Sequence, residues 1–208
     1  MMRMKKLLAP VALAAVMFVP AVGEAQQRVK TARIPETKPS EWTDAQKAVL
    51  GSRAQGDKTA PIWKTCVQNT DLCKAWLPFM TYLLGPTTIS PRHKEMLILR
   101  VAWRSKAHYP WGAHVEGGKR AGMTDEEIAR VAKGPDAPGW SPHEAALLRA
   151  ADELHDDQFI SDATWKKLDE TYDERQLLET VFIVGQYGLL SMYTNSAGIQ
   201  RDGPTLPK

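Results

Sequence analysis

Apolar positions recur at three- and four-residue spacing along most of this chain, and no run of alternating apolar and polar residues interrupts them with a convincing strand. Helix-start signals set the frame. Thr43 with Gln46, Thr124 with Glu127 and Ser141 with Glu144 have capping-box spacing, in which a hydroxyl and a reaching side chain satisfy the first free backbone amides. Ser90-Pro91 and Ser141-Pro142 add proline at the first helical position, where its missing N–H costs nothing. Helices are expected over about 43–53, 60–67, 71–84, 91–106, 110–121, 125–132, 142–156, 162–172 and 174–193, giving an all-α fold.

The same pattern ranks the helices. Between 91 and 106, Met96, Leu97, Leu99, Val101 and Trp103 leave little polar surface, so this helix should be buried on most sides and form the core. Gly122 reads as a C-cap, and Gly134 to Gly139 (GPDAPG) as a loop rich in helix breakers. At the N-terminus a basic MMRMKK leads into the apolar run Leu7 to Val19 and then Gly23-Glu24-Ala25, the composition of a secretory signal cleaved after Ala25. The apolar run is too short to span a bilayer comfortably. Residues 1–25 are thus expected to be a signal peptide, and the mature protein to be periplasmic or secreted and free of the membrane. Residues 26–40, with Pro35 and Pro39 among scattered charges, read as an extended arm that wraps a neighbouring subunit or stays disordered. Residues 41–200 form a single helical domain with no tandem repeat.

Charge then excludes one class of partner. Arg3, Lys5, Lys6 and Glu24 fall in the leader, so its removal takes 27 basic and 24 acidic residues to 24 and 23. A nearly neutral chain with no basic cluster carries no nucleic-acid footprint. A domain of this size with so few polar helix faces would expose apolar patches as a monomer, which predicts a homo-oligomer.

The two cysteines, Cys66 and Cys73, would lie about 10 Å apart along one continuous helix, beyond disulfide reach. Gln68-Asn69-Thr70-Asp71 reads as a turn, which folds them back on consecutive helices. There an oxidising compartment favours a structural disulfide; two buried free thiols or a redox-active pair are the alternatives. The five histidines, His93, His108, His114, His143 and His155, include no pair at i, i+4 with a further ligand, so no metal site is expected. Phosphate-cradling glycine loops and a serine nucleophile elbow are absent from the sequence, and no cofactor is expected.

The candidate chemistry centres on Glu95 and His114. Glu95 sits five residues into an otherwise apolar helix, where an ionised carboxylate is costly unless paired. A surface ion pair with Arg92 or Arg100 is its structural alternative. His114 lies on the next helix and is able to take and give a proton near neutral pH. His108, Tyr109 and Trp111 crowd ionisable and aromatic groups just upstream, while Trp103 and Trp111 flank the turn that carries His108. For strictly antiparallel helices the two groups are axially offset by several ångströms, so a water or a steep crossing is expected to close the gap.

The segments SPRHKEMLILRVAW, AHYPWGAHVEGGKRAG and AGMTDEEI resemble the carboxymuconolactone decarboxylase family, whose relatives include the alkylhydroperoxidase D-like proteins. The resemblance spans roughly Leu84 to Asn195 and is strongest from Ser90 to Ile128. It implies that family's helical fold, a trimer or hexamer, and catalytic roles for Glu95 and His114. In the peroxidase branch the histidine ends a Cys-x-x-Cys-x-x-x-His run, and the matching positions here are Ala107 and Pro110. Loss of both thiols favours proton transfer over thiol redox chemistry. The expected activity is that of a cofactor-free carboxy-lyase acting on a small carboxylated lactone or aromatic-catabolism intermediate. His114 would deliver the proton, Glu95 would orient it, and His108, Tyr109, Trp111, Trp103 and Arg120 would contact substrate. Peroxiredoxin-type activity and a non-catalytic periplasmic binding subunit are the alternatives.

Overall fold

Among the described residues, seven of the nine α-helices begin where a side chain takes the first free amides. The computed structural model describes residues 29–207. Nine α-helices follow one another with no strand among the described residues: α1 (Asp44–Leu50), α2 (Pro61–Cys66), α3 (Thr70–Leu84), α4 (Pro91–Arg104), α5 (His108–Arg120), α6 (Asp125–Lys133), α7 (Pro142–Asp156), α8 (Asp162–Asp169) and α9 (Glu174–Ala197). The three expected capping boxes form, and Asp173 with Gln176 adds a fourth at the start of α9. No described helix is long and apolar enough to cross a membrane.

Several boundaries differ from the sequence reading, α1 ending at Leu50 and α4 at Arg104 among them. α5 starts at His108, two residues before Pro110, because Ala107 takes the extended N-cap conformation. α8 stops at Asp169, leaving Tyr172 to pack from the following turn. α9 runs on to Ala197 and ends at Gly198, whose φ of 71° is the left-handed cap that glycine adopts freely.

α4 is the centre, packed by α5, α6, α7 and α9. Leu97, Ile98 and Val101 face one core cluster with α7 and α9, while Met96, Leu99 and Ala102 face a second with α5 and α6. Apolar residues on both sides make α4 the wall between the two clusters, and each fully buried leucine or isoleucine contributes about 1.5–3 kcal/mol. A third cluster, of Trp42, Leu50, Val67, Cys73 and Leu77, closes the N-terminal end.

The start of α4 is fixed from two sides. The Lys94 ammonium donates to the Leu84 and Gly85 carbonyls at 3.0 and 3.2 Å. Glu179 on α9 accepts from the Thr88 hydroxyl at 2.7 Å and the Thr88 amide at 2.8 Å. These bonds hold the residues just before α4 and thereby set where Glu95 stands.

The N-terminal arm lies on its own chain over the described residues. Arg33 N–H donates to the Ala197 carbonyl at 2.8 Å, and Thr37 donates to the Lys64 carbonyl through its hydroxyl at 2.7 Å. The expected signal peptide, residues 1–25, falls outside the described residues.

Candidate functional site

Glu95 on α4 and His114 on α5 meet directly. His114 Nδ1 is 2.7 Å from Glu95 Oε2, and the two side chains keep only 12% and 14% of their surface exposed. The direct bond closes the axial offset without an intervening water. With α5 starting at His108 and α4 ending at Arg104, the offset is about three residues, or roughly 4.5 Å, which a glutamate side chain spans.

Gly117 makes the approach possible. It shares a helix face with His114, three residues on, and a Cβ there would lie 2.6 Å from Glu95 Oε1 and 2.7 Å from its Cδ. The Gly117-Gly118 pair in the sequence is therefore a seat: the carboxyl group occupies the volume that any other residue at 117 would fill.

The other ring nitrogen is also engaged. Tyr187 on α9, fully buried, places its hydroxyl 2.9 Å from His114 Nε2, and the two rings meet edge-on with centroids 4.9 Å apart. Burial, reinforced by the nearby Glu95 charge, pushes the Tyr187 phenol well above its ordinary value. It therefore keeps its proton and donates to Nε2, which leaves the ring hydrogen on Nδ1, directed at Glu95. The result is a phenol–imidazole–carboxylate chain across three helices. Glu95 Oε1 makes no hydrogen bond among the described residues.

The remaining sequence candidates fall elsewhere. Trp111, 2% exposed, is spent in the α4–α5–α6 core with Met96 and Leu99, and Trp103 packs on the same cluster while its indole donates to the Pro207 carbonyl at 3.3 Å. Tyr109 is buried in the other cluster, its hydroxyl accepting from Ile62 N–H at 3.4 Å. Tyr109 and Trp111 are packed into the core, and Trp103 is half-buried beside it. Arg120 and His108 each lie six residues from His114 and so about 240° around the helix. Arg120 is exposed, and His108 lines a small cavity with Val29, Thr194 and Gly198.

Cys66 at the end of α2 and Cys73 on α3 form a disulfide, with Cα atoms 5.6 Å apart. The bond sits in the N-terminal cluster. At the two positions where the peroxidase branch carries thiols, Ala107 and Pro110 are buried. Among the described residues no group of three or more metal-ligating side chains converges.

Sequence reasoning missed Tyr187 as a member of the site. The available signal was a hydroxyl inside a helix stretch, 181–193, with no charged residue, where a buried phenol needs a partner.

Residues 70–153 match the carboxymuconolactone decarboxylase family model. No curated protein matches the chain. Among solved structures, the chain is similar to an alkylhydroperoxidase AhpD core protein from Ralstonia eutropha, described as peroxidase-related, with TM-score 0.71 and 16% identity over 82% of this chain and 92% of that one. It is similar to a peroxidase-related protein from Silicibacter, with TM-score 0.66 and 14% identity over 89% and 95%. A third is the debrominase Bmp8 in complex with 2,3,4-tribromopyrrole, with TM-score 0.65 and 13% identity over 83% and 93%.

Proposed function

We propose, for a chain that carries the carboxymuconolactone decarboxylase family core over residues 70–153 on an AhpD-like helical fold, a cofactor-free proton-transfer enzyme of the carboxy-lyase type. Its substrate would be a small carboxylated lactone or related ring compound. The observation that carries this reading is the Tyr187–His114–Glu95 chain, an acid–base device with no thiol at the motif positions. That one similar fold holds a brominated pyrrole lends support to a small ring as the ligand class.

The geometry suggests a division of labour different from the sequence expectation. Both His114 nitrogens are committed, so the uncommitted atom is Glu95 Oε1, and the carboxyl group is the one that would meet substrate. As the carbon–carbon bond to the departing carboxylate breaks, its electron pair moves into the neighbouring carbonyl as an enolate and carbon dioxide leaves. Glu95, entering the cycle as the carboxylic acid with its proton on Oε1, gives that proton to the carbon and becomes the carboxylate, and water returns a proton to Oε1. Tyr187 stays protonated throughout and fixes the imidazole tautomer. Positioned acid–base groups contribute about 100 to 10,000-fold, so orientation and electrostatics must supply the rest.

The Cys66–Cys73 disulfide is in keeping with an oxidising compartment, as the leader predicts. A trimer or hexamer, implied by the family resemblance, remains part of the proposal.

Peroxide reduction is the second reading, favoured by the two peroxidase-related folds. One experiment separates them. Purified protein is offered a panel of carboxylated lactones, followed by carbon dioxide release, and separately alkyl hydroperoxide with a thiol reductant. Lactone turnover that drops at least about 100-fold in Glu95→Gln and His114→Ala supports the lyase. Wild-type turnover by His114→Ala would end it. Peroxide consumption that disappears in a Cys66→Ser/Cys73→Ser variant would transfer the chain to the redox class.

A further inference from the structure

α4, α7 and α9 share a direction. Arg92, Arg100 and Arg104 along α4 bond in order to Glu144, Asp152 and Asp156 along α7. Thr88 and Ser105, just outside the two ends of α4, meet Glu179 and Asn195 on α9. α4 and α7 therefore finish side by side against the flank of α9, and the negative ends of their dipoles come together there. A cleft of about 470 Å³ opens at this place, within the range of roughly 300–1,000 Å³ typical of small-molecule sites.

Its walls include Val101 on α4, Leu154 on α7, and Val181 and Val184 on α9. Ser191 also lines it, is only 1% exposed, and its hydroxyl has no hydrogen-bond partner among the described residues. A buried hydroxyl left unpaired is costly, and a folded chain keeps few of them. The glycines add an independent observation. Gly185 and Gly188 line the same cleft, and a Cβ at either would meet no atom within 4 Å. Glycine weakens a helix interior, and here no contact inside the chain requires it. Bare backbone at both positions leaves room for a flat ring to lie against α9. The rim is held in place: His155 Nδ1 is 2.7 Å from Asp156 Oδ1, and the Gln158 amide donates to the Leu154 carbonyl at 3.0 Å.

We propose that this cleft is a second ligand site, for a small uncharged ring compound bearing a hydroxyl group. The ring lies between the valine and leucine walls, over Gly185 and Gly188, and the hydroxyl bonds to Ser191 Oγ. Charge sets the choice of ligand. No Asp, Glu, Lys or Arg lines the cleft, so a carboxylate would lose its water without meeting a cation and would face two negative helix ends. A neutral hydroxyl exchanges its hydrogen bonds to water for one to Ser191. The site is separate from Glu95, because Val101 and Ser105 lie six and ten positions further along the chain, about 9 and 15 Å at helical rise. It stands whether or not Glu95 and His114 transfer protons.

The test titrates the folded mature chain with phenol, toluene and benzoate at neutral pH, following backbone amide NMR signals. Phenol should shift Gly185, Gly188 and Ser191 and saturate with a dissociation constant of about 1 mM or lower. Toluene has the ring without the hydroxyl, and benzoate has the ring with a charge; each should bind at least about 5-fold more weakly. Ser191→Ala should erase the preference for phenol over toluene, and Gly188→Leu, which fills the cleft, should weaken phenol at least about 10-fold with helix content unchanged. Glu95→Gln should leave phenol binding within about 2-fold of wild type, so this site and the proton-transfer site fail independently. No saturable shift up to about 10 mM phenol, benzoate or toluene bound as well as phenol, a preference that survives Ser191→Ala, or binding lost in Glu95→Gln would each overturn the proposal.

Discussion

Replacing Gly117 with alanine tests the site through a single methyl group. The new Cβ would stand 2.6 Å from Glu95 Oε1, 2.7 Å from Cδ and 2.8 Å from Oε2. To restore ordinary contact at 3.4 Å the carboxyl group must retreat by about 0.8 Å, which stretches its 2.7 Å bond to His114 Nδ1 to as much as about 3.5 Å, outside hydrogen-bond range. The atoms that yield belong to the end of a flexible side chain, so the helices need not move. Stability should change little: alanine gains about 0.8–1.0 kcal/mol of helix propensity, and loss of a charge-assisted bond costs about 1.5–3 kcal/mol, partly recovered when the carboxyl group reaches water. The expected result is a melting temperature within a few degrees of wild type and proton-transfer activity reduced on the order of 100-fold, since a 1 Å misplacement is that costly. A substrate-free readout exists. Two-bond hydrogen–nitrogen NMR of the His114 ring should show the Nδ1-protonated tautomer in the wild type and a mixture in the variant. A Gly117→Ala protein with wild-type tautomer signals and undiminished turnover would refute the claim that this glycine seats the carboxylate.

Two further predictions concern stability. His93 and His143 lie with ring centroids 5.1 Å apart and planes tilted by 49° beside Tyr172, whose hydroxyl is 2.7 Å from His93 Nδ1, and neither buried nitrogen of His143 has a hydrogen-bond partner among the described residues. Burial lowers both imidazoles below their ordinary value of 6.5; Glu144 opposes this, Arg92 adds to it at His93, and His93 and Lys167 add to it at His143. The unfolded chain therefore binds more protons as pH falls through 6.5, and stability that is full above that pH is lost below it. Urea unfolding from pH 8 to pH 5 should show the decline, and His143→Phe should flatten it; an equal slope in the variant would exclude the cluster as its source. Arg100, 4% exposed, grips Asp152 through two bonds of 2.6 and 2.7 Å and donates to the Val131 and Ala132 carbonyls that end α6. Arg100→Met should cost about 3 kcal/mol and lower the melting temperature by roughly 6–12 °C in calorimetry, because it leaves Asp152 only its 3.6 Å pairing with Arg104 and strands two carbonyls; a drop under about 2 °C would contradict this.

Much of this was legible in the chain because it is local. A capping box acts over three residues and a helix face repeats every three or four, so the number of helices and the burial of α4 follow from Met96, Leu97, Leu99 and Val101 without any knowledge of their partners. The Glu95–His114 pairing was legible for another reason: a carboxylate among apolar neighbours must find a partner, and the family resemblance pointed to the next helix. The rings misled. Trp103, Tyr109 and Trp111 carry the same residue types a pocket would use, and burial, not spacing, decides whether a ring becomes wall or core.

By itself, then, the sequence determined the helical class, the start of most helices, the turn that brings Cys66 to Cys73, and the acid and base of the candidate site. Only the tertiary structure decided that Tyr187, 73 positions beyond His114, supplies the third member of the chain, that Gly117 is where the carboxyl group rests, and that Trp111 is buried while Arg120 stays exposed. The division has one physical cause. Hydrogen bonds and side-chain spacing within a turn are written in neighbouring residues, whereas contacts between α4, α5 and α9 depend on how whole helices pack around a common core.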